Sequence, residues 1–177
     1  MDDLDVLRTV QEAEKDFGIH CKKVSGTLTV ETFMKAFSEH GVASSARDVF
    51  IRGLPVEIDL LIPRPGVGAT TTVVYEPDDV LAAFEVKRRG CFGEKMLLKI
   101  QETFQRISVV NPRIFCAYLA LEERRGYKYA VTETNLGFPA YTLFWYTGSG
   151  SKQEDHHPTG DWNRLLERVA GLLQNRQ

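Results

Sequence analysis

The chain has 177 residues, with 22 lysines and arginines against 24 aspartates and glutamates, and so a formal net charge of −2. Hydrophobic residues make up 43%, and we expect one globular domain over residues 1–177 that buries about two-thirds of its unfolded surface. The charge excludes a basic protein that coats nucleic acid, so any nucleic-acid contact must come from a local patch.

Two helices are predicted in the first 41 residues. Apolar residues recur near helical spacing in residues 2–17. In SGTLTVETFMKAFSEHG, Thr27 or Thr29 is predicted to cap a second helix that Gly41 ends. The N-terminus lacks the features of a signal peptide, and no apolar run reaches the ~20 residues of a membrane span. The three cysteines form no CxxC pair, which favours a reducing compartment, so a cytoplasmic protein is expected.

Strand patterns follow in the middle of the chain. Residues 56–62 alternate between apolar and mostly charged positions, which predicts a strand with one apolar face. TTTVVY is a short strand or an extended arm, and EPDD is a turn. VLAAFEVKRR then reads as a buried strand. GEKMLLKIQETFQRISVVNP changes to helical spacing and ends before a proline.

The last third adds two strands and a helix. RIFCAYLALEE and YTLFWYT are predicted strands, with a turn or hairpin tip at RRGYKY and a polar loop at GSGSKQEDHHPTG. Thr159 or Asp161 caps the helix DWNRLLERVAGLLQ. The strand–helix–strand unit over residues 80–121 favours a parallel pair with a right-handed crossover. The expected fold is an α/β sandwich whose central mixed sheet is flanked by helices.

Charged residues interrupt two of the apolar strands. Glu85 and Lys87 lie two residues apart, so they project from the same face of their strand. Glu57 and Asp59 share a face of the preceding clear strand for the same reason. If the two strands pair, three carboxylates and one amine converge on a small area.

Two arrangements would relieve the cost of burying these charges, which is several kcal/mol for each unpaired ion. Lys87 can pair with Glu85 or Asp59. Alternatively, Mg²⁺ or Mn²⁺ binds the carboxylates of Asp59 and Glu85, with the carbonyl of Val86 as a third oxygen. Lys87 would then orient a metal-bound water or offset charge on the transition state, which is the chemistry of metal-assisted phosphodiester hydrolysis.

A known family combines these features. The sequence resembles the PD-(D/E)XK nuclease superfamily in the order of three features. They are the strand EIDLLI, then EVK on a second strand with 25 residues between Asp59 and Glu85, and then an amphipathic helix. The resemblance covers roughly residues 29–121 and departs from the family pattern at Ile58, where many members have proline. It implies a restriction-endonuclease-like fold and a Mg²⁺-dependent endonuclease.

The resemblance also implies roles for individual residues. Asp59 and Glu85 would be metal ligands and Lys87 the catalytic lysine. Many members carry a further catalytic glutamate on the helix before the first motif strand, and some carry a supporting glutamine on the helix after the second. The candidates are Glu31, then Glu39, for the glutamate and Gln101 or Gln105 for the glutamine. Glu57 is a further supporting candidate.

Basic residues follow the motif. Arg88 and Arg89 end the strand, and Lys95 and Lys99 lie on the next helix. These residues are predicted to bind the phosphate backbone. A solvated helix face is the alternative interpretation, since Glu94 and Glu102 lie among the basic residues of the helix.

Three functions are compatible with the sequence. The first is a metal-dependent nuclease that acts on DNA in restriction, repair or defence, as a homodimer or with a partner subunit, since cutting both strands needs two sites. The second is a non-catalytic binding or regulatory module with a nuclease fold, acting within a larger complex. The third is a structural α/β protein in which Glu85 and Lys87 only stabilise the sheet.

Overall fold

The computed structural model describes residues 3–17, 22–90, 94–124, 137–147 and 155–174. Its strands are β1 (Ala46–Ile51), β2 (Glu57–Pro63), β3 (Val74–Tyr75), β4 (Val80–Arg89), β5 (Phe115–Arg124), β6 (Ala140–Thr147) and β7 (Asp155–Pro158). Its helices are α1 (Asp3–Phe17), α2 (Lys22–Glu39), α3 (Glu94–Val110) and α4 (Asp161–Gln174). A 3₁₀ turn over Pro77–Asp79 precedes β4.

The strands form one mixed sheet in the order β3-β1-β2-β4-β5-β6-β7. The pairs β1–β2, β2–β4 and β6–β7 are antiparallel, whereas β1–β3, β4–β5 and β5–β6 are parallel. The parallel pair of β4 and β5 is joined through α3, as the sequence predicted. The mixed sheet flanked by helices confirms the predicted α/β sandwich.

Helices cover both faces of the sheet. On one face, α1, α2 and α4 pack around a core that includes Phe33, Phe37 and Trp162, and the rings of Phe37 and Trp162 lie 5.5 Å apart. On the other face, α3 buries Ile100, Phe104 and Ile107 and shares a core cluster with β1, β2, β4 and β5. The polar residues of the candidate site lie on this second face.

The structure differs from the predicted elements in three places. Helix α2 begins at Lys22, so Thr27 and Thr29 lie inside the helix, and the Thr29 hydroxyl donates to the Ser25 carbonyl at 2.8 Å instead of capping. The segment ARDVFI forms β1, which was not predicted. DHHP pairs with β6 as β7, although the sequence predicted a loop there.

Three further expectations concern the end of α2, the turn after β5 and membrane-spanning helices. Gly41, with φ of 85°, follows α2 as predicted, because a left-handed residue after a helix favours glycine. The turn predicted at RRGYKY lies outside the described residues after its first arginine. None of the described helices has both the length and the apolar character that crossing a membrane requires.

Candidate active site

The candidate site begins where the pairing of β2 and β4 ends. Leu60 and Phe84 are the last paired residues of this ladder, and Asp59 and Glu85 are the next residues along the two strands. Beyond this point β4 continues to pair with β5 as far as Arg89. Because side chains alternate along a strand, Asp59 and Glu85 project from the face that α3 covers.

The Lys87 ammonium lies between the two carboxylates. Its Nζ is 2.6 Å from Glu85 Oε1 and 3.1 Å from Asp59 Oδ2, and it also donates to the Val86 carbonyl at 3.2 Å. The Val86 N–H donates to Asp59 Oδ2 at 2.8 Å. The structure therefore brings together the residues that the sequence singled out as metal ligands and catalytic lysine.

The surroundings of Glu85 and Lys87 raise the pKa values of both side chains. Burial raises the pKa of Glu85 above that of an ordinary glutamate, and the Asp59 charge adds to this effect, whereas Lys87 and Lys99 act to lower it. For Lys87, burial alone would lower the pKa, but the charges of Glu85 and Asp59 and their hydrogen bonds raise it by more in total. The ammonium is thus charged at neutral pH and is held by its neighbours.

An open cavity of about 690 Å³ lies over this cluster. Glu57, Asp59, Glu85 and Lys87 line it from the sheet. Helix α3 and the residue before β2 complete the wall with Lys95, Met96, Lys99, Ile100, Thr103 and Val56. The cavity thus combines three carboxylates from the sheet with three lysines, two of which belong to α3.

Glu31 and Gln101 lie apart from the cluster. Glu31 on α2 accepts an ion pair from Arg47 Nε at 2.6 Å, and Arg47 also reaches Asp48. Gln101 on α3 lies next to Gly137. Neither side chain lines the cavity. The structure therefore does not bring the predicted helix glutamate to the carboxylate pair.

Arg88 and Arg89 are tied to a buried glutamate that the sequence analysis missed. Glu122 on β5 is 0% exposed; its Oε2 pairs with Arg88 Nη1 at 2.8 Å and with Arg89 Nε at 3.2 Å. His156 Nε2 on β7 lies 3.0 Å from the other carboxylate oxygen. Arg88 is only 11% exposed, whereas Arg89 is 51% exposed. The sequence placed Glu122 at the end of an apolar strand but gave no signal of this burial.

The oxygens around Lys87 are suited to a hard divalent cation. In the described part of the chain, no group of three or more His, Cys, Asp and Glu side chains is placed to hold a metal ion. The available donors are two carboxylates, from Asp59 and Glu85, and the Val86 carbonyl. Mg²⁺ commonly takes one or two protein carboxylates and keeps several waters, so this donor set fits it. The positive ammonium already in contact with all three oxygens points to the same preference for a cation.

Comparison with known proteins gives matches at the level of structure. No protein-family model matches the sequence, and no characterised protein matches it by sequence. The cAAA-bound form of NucC from P. aeruginosa ATCC27853 aligns with 97% of this chain and 87% of its own, with a TM-score of 0.67 and 14% identity.

Two structures of NucC from E. coli MS115-1 also match. The cAAA-bound form has a TM-score of 0.66 and 12% identity, over 97% of this chain and 86% of its own. The apo form has a TM-score of 0.55 and 11% identity, over 96% and 92%. At these identities the similarity shows a shared fold, which agrees with the restriction-endonuclease-like sandwich predicted from the sequence.

Proposed function

We propose that this chain is a metal-dependent nuclease that hydrolyses phosphodiester bonds in DNA. Asp59 and Glu85 hold Mg²⁺ or Mn²⁺ together with the Val86 carbonyl, and Lys87 is the catalytic lysine. One observation carries the proposal: two carboxylates and an ammonium meet within 3.1 Å on the floor of an open cavity. The PD-(D/E)XK pattern of the sequence supports the same roles.

The residues around the cavity suit this reaction. A bound divalent ion would supply an acidified water and neutralise charge on the phosphoryl group. Lys87 contributes a positive charge and three N–H donors next to the ligand oxygens, which can orient a water or stabilise an anionic transition state. Lys95 and Lys99 give the opposite wall a positive charge that would attract the phosphate backbone.

DNA is the proposed substrate. The similarity of the fold to the NucC structures supports a nuclease that acts on DNA, and a role in defence is consistent with it. Because cutting both strands of a duplex needs two sites, we propose that the chain acts as a homodimer or with a partner subunit, in the cytoplasm.

The decisive experiment compares two lysine substitutions. Lys87→Ala should reduce cleavage of duplex DNA in Mg²⁺ by at least about a hundredfold, the usual minimum for loss of a charge-stabilising group. Lys35→Ala, on the exposed side of α2, is the matched control and should cleave at the wild-type rate. Circular dichroism establishes that both variants fold. Equal cleavage by the Lys87→Ala protein and the wild type would exclude the proposed role of this residue.

Metal binding distinguishes the proposed nuclease from the alternative, a non-catalytic binding module with the same fold. Calorimetry with Mn²⁺ should show binding to the wild type that Asp59→Asn and Glu85→Gln each weaken strongly, since each change removes one of the two charged ligands. If the wild type binds no Mn²⁺ and cleaves neither DNA nor RNA, the binding module becomes the better interpretation.

A further inference from the structure

Three oxygen atoms serve two purposes in the candidate site. Asp59 Oδ2, Glu85 Oε1 and the Val86 carbonyl oxygen are drawn from the residues proposed to hold the metal. The same three atoms lie 3.1, 2.6 and 3.2 Å from Lys87 Nζ. The ammonium group therefore occupies the position between the oxygens that a metal ion would take.

We propose that Lys87 is a built-in competitor of the metal: its ammonium fills the cation site in the metal-free protein and must leave before a divalent ion can bind. This inference rests on the nuclease function proposed above and deepens it. The site would be closed by its own catalytic lysine until metal arrives, and metal loading would release that lysine toward the substrate.

Electrostatics explain why the two cations exclude one another. Unpaired, Asp59 and Glu85 would place two negative charges side by side in a partly buried site, with side chains only 27% and 24% exposed. Lys87 compensates that charge when metal is absent. A divalent ion on the same oxygens would lie within a few ångströms of the ammonium, where like charges repel strongly. The lysine and the metal therefore cannot share these contacts.

The cavity gives the displaced lysine a place to go. Lys87 lines the open volume of about 690 Å³, and its side chain is 30% exposed, so a change of rotamer can move Nζ away from the oxygens without unpacking the core. In its new position the ammonium would still lie in the cavity that Asp59 and Glu85 line. Exchange of one cation for the other would thus change the role of Lys87 from ion-pair partner to active-site donor.

The test is metal affinity in the absence of DNA. Lys87 must leave the site before the metal binds. The apparent metal affinity of the wild type is therefore the affinity of the open site multiplied by the fraction of molecules in which the site is open. Calorimetry with Mn²⁺ should give a Kd about tenfold lower for Lys87→Met than for the wild type. Lys87→Arg keeps a positive charge in reach of the same oxygens and should bind no more tightly than the wild type.

Lys99→Met is the matched control. Lys99 lines the same cavity and its charge acts on Glu85, yet no ion pair joins it to Asp59 or Glu85 among the described residues. Its removal should change the Kd less than threefold. A similar gain in Lys87→Met and Lys99→Met would overturn the inference, because it would mean that overall charge sets the affinity and not occupation of the site.

Other outcomes separate this inference from the proposed function. If wild type and Lys87→Met bind Mn²⁺ equally, the competition is refuted while the metal site stands. If neither binds, the metal site fails and the inference fails with it. Should Lys87→Met not fold, NMR of the lysine side chains in the wild type decides: the Lys87 ε-carbon signal should shift on addition of Mg²⁺, and an unchanged signal refutes displacement.

Discussion

At the residue scale, the pKa of Glu85 depends on its burial and on the charges around it in the candidate site. Burial and Asp59 raise its pKa, while Lys87 lowers it. Since the folded state then binds the Glu85 proton more tightly than the unfolded state, this group stabilises the fold most at low pH. Its contribution declines as the pH rises from the ordinary glutamate pKa through the raised value.

Substitutions of the two neighbours should move the Glu85 pKa in opposite directions. Lys87→Ala removes a lowering influence and should raise it further, whereas Asp59→Asn removes a raising influence and should bring it down. A carboxyl ¹³C NMR titration in the presence of chelator measures both. A lower Glu85 pKa in Lys87→Ala would contradict the ion-pair geometry.

The positions of site residues could be predicted from the sequence where they depend on spacing along one strand or on pairing between two strands. The two-residue spacing placed Glu85 beside Lys87, and the antiparallel pairing of β2 and β4 then brought Asp59 to them. The position of Glu31 depended on how α2 turns against the sheet, which spacing does not specify. Glu122 was equally inaccessible to sequence reasoning, because its charged partners come from two other strands, β4 and β7, that are distant in the sequence.

At the element scale, helices and strands with a clear apolar pattern were predicted from the sequence, whereas strands without one were missed. β2, β4, β5, β6, α3 and α4 have long apolar runs or clear helical spacing, and they form where they were expected. β1 contains Arg47 and Asp48, whose charges interrupt the alternation, and Asp48 has a φ of 53° that breaks regular strand geometry. β7 is a four-residue edge strand, DHHP, without alternation of apolar residues, and it is held by pairing with β6 and by the contact of His156 with Glu122.

The Glu122 cluster should contribute strongly to stability because it links β4, β5 and β7. Glu122→Ala removes a fully buried carboxylate and leaves Arg88 without that ion pair. We expect the free energy of unfolding to fall by about 3–5 kcal/mol, as for other buried pairs that lose one partner. Urea denaturation measures the change.

Glu102→Ala is the control for Glu122→Ala. Glu102 is exposed on α3, and its removal should alter the free energy of unfolding by less than about 0.5 kcal/mol. Similar losses in the two variants would indicate that the Glu122 cluster does not link the strands.

At the scale of the whole molecule, the net charge of −2 must be reconciled with the proposed DNA substrate, which is a polyanion. The two α3 lysines that line the cavity are exposed and concentrate positive charge beside the carboxylate pair. Binding to DNA should therefore depend on this local patch and weaken as salt is added, because phosphate contacts release counterions.

Salt dependence gives a quantitative check of that patch. In a plot of log affinity against log salt for a short DNA duplex, Lys95→Ala should reduce the slope by about one, the effect of one lost phosphate contact. Lys35→Ala on α2 should leave the slope unchanged. Equal slopes in all three proteins would show that DNA does not contact this wall of the cavity.

The hydrogen bond from the Val86 N–H to Asp59 has a consequence for experimental design. Past Leu60 and Phe84 the main chain of β4 has no ladder partner in β2, and an aspartate side chain takes the place of a neighbouring strand. Truncating Asp59 to alanine would therefore leave the Val86 N–H without this acceptor as well as remove a proposed metal ligand, so a loss of activity would have two causes. Asparagine, which retains an acceptor oxygen, isolates the charge.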